Sequence, residues 1–189
     1  AQVLVDGASR DSVDWFIKTV YQPHYDHFKD DFGKTIIGYF FDEPHTQGDW
    51  GTEVLPMLKE RKVDWKKALV AWKFTLTGEE QVAARYQYQD AFAEAWGRTL
   101  YGGLSNWCRE HNVRSTGHFL EHMNLYLSPD LCAGNLFQLM KYCGMGALHA
   151  FFTQFLIGQR VAQDPPCWQT PKLGSSIIHA YGKPDDITM

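Results

Sequence analysis

Lys34-Thr35-Ile36-Ile37-Gly38-Tyr39-Phe40-Phe41-Asp42-Glu43-Pro44 is the stretch that decides the fold. It is a short apolar run rich in β-branched and aromatic residues, closed by two carboxylates and a proline. Such a run predicts a strand buried on both faces, as in a parallel sheet covered by helices. Pro44 has no N–H to give to a ladder, so the strand is expected to stop near Glu43. Side chains alternate along a strand, so Asp42 and Glu43 are expected to point differently. Acids at the carboxyl end of a buried parallel strand stand where α/β enzymes carry their chemistry. An acidic pair after a strand is as readily a solvated loop start or a helix cap, and this stretch alone leaves both open.

A second stretch repeats the pattern. Val113-Arg114-Ser115-Thr116-Gly117-His118-Phe119-Leu120-Glu121-His122 is an extended run that closes on a carboxylate, with histidines around it. Between the two lies a long amphipathic helix. Thr77-Gly78-Glu79-Glu80 has capping-box spacing. Val82, Tyr86, Gln89, Ala93, Trp96, Leu100, Leu104 and Trp107 then recur at three- and four-residue steps, to an end near Glu110. Gly102-Gly103 is expected to loosen the last turns. A helix between two buried strands is the crossover that makes a sheet parallel.

Working outward, Ser9 or Asp11 can cap a first helix. Its apolar face is Val13, Phe16, Ile17, Val20 and Tyr21, and Pro23 is expected to end or kink it. Residues 45–52 form a polar, Gly-punctuated loop at the strand end, where Trp50 either stacks on a substrate ring or packs on the rim. Residues 53–71 predict helix interrupted at Pro56. Leu136, Leu139 and Met140 suggest a short helix, and residues 171–181 a longer one. The apolar stretch 147–155 is strand or helix, and Asp186-Ile187-Thr188-Met189 starts a further strand.

With 189 residues the chain is expected to be one domain. Aromatic content of 15% suits a large core or a pocket that stacks on flat ligand faces. A net charge of -4 gives no polyanion-binding surface, so no nucleic-acid partner is expected. The basic cluster Lys59, Arg61, Lys62, Lys66 and Lys67 is interleaved with acids and reads as a solvated helix face. Cys108, Cys132, Cys143 and Cys167 show no CxxC spacing, and a disulfide stays undetermined. No apolar stretch is long enough to span a bilayer, so no membrane partner is expected. The chain starts without methionine and ends on a strand start, so it is expected to be a fragment of a longer protein. No Gly-rich phosphate loop follows a strand, which disfavours a nucleotide-binding sheet. The expected fold is therefore α/β, part of a (β/α)8 TIM-type barrel with parallel strands and long helices; a whole barrel takes about 250 residues.

Two carboxyl groups facing across a barrel mouth are what glycoside hydrolysis requires: one protonated to serve the leaving oxygen, one ionised to attack or to activate water. Glu43 follows three aromatics, and desolvation there would raise its pKa, which suits the acid. Glu121 is the second carboxylate. Asp42 can orient a substrate hydroxyl or bind a cation. His118 and His122 can bond sugar hydroxyls or be structural. His118, Glu121 and His122 together can also ligate a metal, although the Gly117 approach favours strand and loop over the helical HxxEH arrangement. A non-catalytic carbohydrate-binding barrel is a further alternative.

Trp15-Phe16-Ile17 with Tyr21 and Tyr25, the run 32–44, Trp107-Cys108, the segment 117–121 and the segment 175–183 together resemble the catalytic barrel of large bacterial α-L-rhamnosidase-type glycoside hydrolases. The resemblance implies an inverting hydrolase that removes terminal L-rhamnose from oligosaccharide or polysaccharide, with calcium near the site as an option and no other cofactor. It matches Glu43 to the general acid and Glu121 to an acidic site residue, and brings His179 in as a substrate-binding candidate. It also implies a further glutamate beyond Met189, which would be the base if Glu121 is a ligand, and the remaining domains of a parent chain as partners. A polysaccharide substrate favours a secreted or periplasmic location.

Overall fold

The computed structural model describes residues 5–44, 50–74, 77–119, 135–147 and 169–182. Helix α1 is Arg10–Phe16. Ser9 holds its N-cap position without a side-chain capping bond. The entry turn is tied instead by Asp6 and Ser12: Asp6 N donates to Ser12 Oγ and Ala8 N to Asp6 Oδ1, both at 2.9 Å. Of the two outcomes expected at Pro23, an end to the helix is not met. A wide π-turn, Ile17–Tyr21, runs straight into α2, Gln22–Phe28. The widened turn displaces the i to i−4 ladder just where proline has no N–H to contribute.

Strand β1 is Gly38–Phe41, shorter than the apolar run. Lys34, Thr35 and Ile36 all donate to Asp31 O, at 3.0–3.1 Å, so the chain turns here before it extends. Burial on both faces is not met either. Phe41 is buried, but Phe40 is 55% exposed.

Helices α3 (Val54–Glu60) and α4 (Trp65–Lys73) break at residues 61–64, not at Pro56. Pro56 lies in the first turn of α3, where its missing N–H has no helical partner to lose. Lys62 takes φ 57°, and Asp64 caps α4 by accepting from Lys67 N at 3.2 Å. The basic cluster here is more than a solvated face: Arg61 is ion-paired with Asp90.

Helix α5 (Glu79–Trp96), a π-turn (Gly97–Tyr101) and α6 (Gly102–Glu110) form one run that ends where expected. The capping box is not made; Gly78, at φ 107°, holds the N-cap position without a side-chain bond. Val82 and Tyr86 are each 68% exposed. Ala93, Trp96, Leu100, Leu104 and Trp107 of the expected face are buried, while over the earlier turns Ala84, Tyr88, Ala91 and Phe92 are buried in place of Val82 and Tyr86. Gly97 seats the Tyr142 ring, since a Cβ there would lie 2.6 Å from it.

Strand β2 is Arg114–Gly117 and pairs parallel to β1, Gly38 with Arg114 through Phe41 with Gly117. Helices α3 to α6 lie between the two strands in the chain, so the crossover is built from four helices where the sequence suggested mainly one. Helix α7 is Leu136–Met140, capped by Asn135 Oδ1, and α8 is Gln169–Ala180. Val13, Phe41, Tyr88, Trp96, Tyr101, Phe119 and Ile177 share one core. The fold is helix-rich α/β. The expected strand after Asp186 and the apolar stretch from residue 148 lie outside the described residues. Among the described residues, no helix is long and apolar enough to cross a membrane.

Glu94, on α5, ties α7's end to this frame. Tyr142 donates its hydroxyl to Glu94, and Arg98 and Lys141 approach to 3.2 and 3.7 Å. Burial pushes the carboxyl up, but Tyr142, Lys141 and Arg98 outweigh it and hold it below its ordinary value of 4.5. A depressed acid binds fewer protons folded than unfolded. Its contribution is therefore present above the unfolded-state pKa and lost as pH falls through the folded one. Tyr142→Phe is expected to cost about 1.5–3 kcal/mol, the range for a hydrogen bond to a charged group. Glu94→Gln should also flatten the acid limb of stability against pH, checked by urea unfolding from neutral to acid pH.

Candidate active site

The parallel register fixes the site. Phe41 pairs with Gly117, so Asp42 and His118 are the first residues past the last strand pair. His118 N donates to Phe41 O at 3.1 Å, which extends the ladder by one bond. The His118 ring stands edge-on to Phe40 at 4.8 Å between centroids. Its Nδ1 lies 3.8 Å from Asp42 Oδ1.

Glu43 takes φ 49°, a left-handed backbone uncommon for glutamate. This overturns the expectation that Asp42 and Glu43 point apart. One ligand atom each from Asp42, Glu43 and His118 lie within 4.8 Å of one another. Strand alternation ended at Phe41, and the left-handed turn brings the Glu43 carboxylate to the Asp42 side. Asp42 stays exposed, while Glu43 and His118 are half-buried. Thr116 Oγ1, two residues before His118, is buried with no hydrogen-bond partner among the described residues.

Beside Asp42 opens a cavity of about 470 Å³ walled by Tyr21, His24, Tyr39, Phe40 and Pro44 among others. Tyr21 and Tyr39 stack at 4.5 Å, and His24 stacks on Tyr39 at 6.2 Å. Burial pushes the Tyr21 hydroxyl well above its usual range. His24 and Tyr39 are lining residues the sequence reading missed. Their only signal was that α2 leads directly into the turn before β1.

The other sequence candidates divide. Trp50 is 37% exposed and stacks on Tyr88 at 6.3 Å. His179 lies exposed in the last turn of α8 and is not a member of the Asp42 cluster. Glu121 and His122 lie outside the described residues. Cys108 is a buried thiol, which burial pushes up to about 12, so it offers no thiolate for chemistry.

No family model and no curated protein matches the chain. The solved structure of a rhamnosidase from Novosphingobium sp. PP1Y is similar over 95% of this chain, with a TM-score of 0.67 and 20% identity. This chain spans 17% of that chain's length. At that identity the likeness shows the α/β fold alone.

Proposed function

We propose that this chain is part of the catalytic (β/α)8 barrel of a glycoside hydrolase, rhamnosidase-like, with Glu43 as general acid. The observation that carries it is the convergence of Asp42, Glu43 and His118 past the carboxyl ends of two parallel strands. An aromatic-walled cavity adjoins Asp42, which suits a sugar ring. The exposed face of β1 at Phe40 suits a strand whose second side is covered by the rest of a barrel.

Within this reading Glu43 protonates the leaving oxygen. Asp42 and His118 orient sugar hydroxyls. The base is Glu121 or a glutamate elsewhere in the parent protein. Secretion or a periplasmic setting follows from a polysaccharide substrate.

A second reading is favoured by the donor set. Asp42, Glu43 and His118 are the residues that would hold a cation. Calcium takes oxygen ligands, and the two carboxylates supply them; the His118 imidazole suits zinc better. Bound zinc would supply Lewis-acid polarisation, and Glu43 would then be a ligand. The deciding experiment is turnover of an aryl α-L-rhamnoside by the full-length protein before and after chelation, with metal analysis. The glycosidase reading expects rhamnoside turnover that survives chelation or, where calcium is bound, returns on adding calcium alone. Stoichiometric zinc, lost together with activity in His118→Ala, would replace it with a metal-dependent hydrolase. Sugar binding without turnover would leave a carbohydrate-binding barrel.

A further inference from the structure

The cavity beside Asp42 has an interior unlike its mouth. The candidate site uses the mouth, where Asp42 and Pro44 stand. Behind them the space lies between β1 and the helices. Tyr39 and Phe41 form one wall. Their rings meet Trp107 and Tyr101 at 5.8 and 4.9 Å, so this is the helix-facing side of the strand. Trp96, Leu100 and Leu104, at four-residue steps along the long helical run, form a second wall. Phe16, Val20 and Tyr21 close the side toward α1.

The interior walls are mainly carbon. Phe41, Trp96, Leu100 and Leu104 are all buried. The described lining residues include no lysine or arginine, and the ionisable Asp42 and His24 are exposed and belong to the mouth. Tyr21 stands apart from these carbon walls. It is 6% exposed, and its hydroxyl has no hydrogen-bond partner among the described residues. Its ring is held from three sides: Phe16 and Trp107 meet it edge-on at 5.7 and 5.3 Å, and Tyr39 stacks on it. Burial raises the hydroxyl's pKa, so it stays protonated and is a donor. A donor so enclosed is costly to leave unpaired, and an acceptor on a ligand would satisfy it. Its ring is fixed beforehand, which lowers the ordering cost of binding.

We infer that this cavity binds a neutral, largely apolar ring molecule with one hydrogen-bond acceptor for Tyr21, either free or as the leaving group of a glycoside. The carbon walls reward apolar surface removed from water, and a charged ligand would have to shed its water against them. The volume, about 470 Å³, is that of a small-molecule site, and few convergent polar groups among apolar walls is the usual make-up of one. The ligand chemistry does not depend on the glycosidase reading; the leaving-group source alone rests on it.

The test is equilibrium dialysis of the full-length protein against 2-acetylnaphthalene, its hydrocarbon counterpart 2-ethylnaphthalene, and the anion 2-naphthoate. Saturable one-site binding of the ketone is expected, with 2-naphthoate at least about tenfold weaker. Tyr21→Phe should weaken the ketone about two- to tenfold, the range for a neutral hydrogen bond, and leave the hydrocarbon unchanged. Val20→Trp, at a wall position 38% exposed, should fill the space and weaken both by at least about tenfold. Val82→Trp, 68% exposed on α5 and outside the lining, should change neither. Competitive inhibition of rhamnoside turnover by the ketone identifies the leaving group of a glycoside; binding without inhibition, or in a protein without turnover, identifies a free ligand. No saturable binding of the ketone, 2-naphthoate bound as tightly, or an equal response of ketone and hydrocarbon to Tyr21→Phe overturns the inference. Should Val20→Trp lower the melting temperature, Tyr21→Phe, which keeps the ring, carries the comparison alone.

Discussion

Glu43→Gln in the full-length protein should lower kcat on an unactivated glycoside by about 10²–10⁴-fold, the contribution of a positioned general acid. This is about 3–5 kcal/mol of transition-state stabilisation, since each 1.36 kcal/mol is tenfold in rate. KM should change little. Glutamine keeps the shape and hydrogen-bonding oxygen of glutamate but has no proton to release, so substrate binding survives and bond breaking does not. The backbone is the second reason to expect a localised effect. Glu43 holds φ 49° among Asp42 and His118, and glutamine adopts the same conformation at similar cost. A rise in KM with kcat unchanged would instead make Glu43 a binding residue. Steady-state kinetics of purified wild type and variant separate the two.

Gly117→Val is expected to destabilise the protein by about 3 kcal/mol or more, at or beyond the upper end for overpacking. Gly117 pairs with Phe41 at the last position of the sheet. A Cβ there would lie 2.0 Å from Phe41 O and 2.4 Å from Phe41 Cδ2. The first of these is backbone, which cannot swing aside as a side-chain tip can. The strands must part, and they part at the end that carries Asp42 and His118. His118 N loses its 3.1 Å bond to Phe41 O in the same movement. Stability and activity should therefore fall together, unlike Glu43→Gln, where stability should be kept. Urea unfolding beside the kinetic assay distinguishes them; wild-type stability for Gly117→Val would contradict the strand register.

Much of this architecture was legible in the residues. The β-branched and aromatic runs before Asp42 and around Ser115 located both strands, and the helix between them implied parallel pairing. The errors have physical causes. Val82 and Tyr86 are apolar yet exposed, and nothing local tells them from the buried Tyr88 and Phe92. Pro23 usually stops a helix, but a preceding π-turn absorbs it. Lys34 and Thr35 suit a strand by composition, yet Asp31 O draws their N–H groups into a turn. At the candidate site, the positions of Asp42 and His118 at strand ends were readable. Their convergence with Glu43 was not, because it depends on one left-handed φ that sequence gives no reason to expect at a glutamate.

The most direct test of the account is the leaving-group dependence of the Glu43→Gln defect in the full-length protein, across aryl α-L-rhamnosides of decreasing phenol acidity. A general acid matters most when the leaving oxygen is most basic. The account predicts a small defect with a dinitrophenyl leaving group and a defect that grows steadily toward unactivated glycosides. A defect of the same size across the series, or none, would contradict Glu43 as the proton donor.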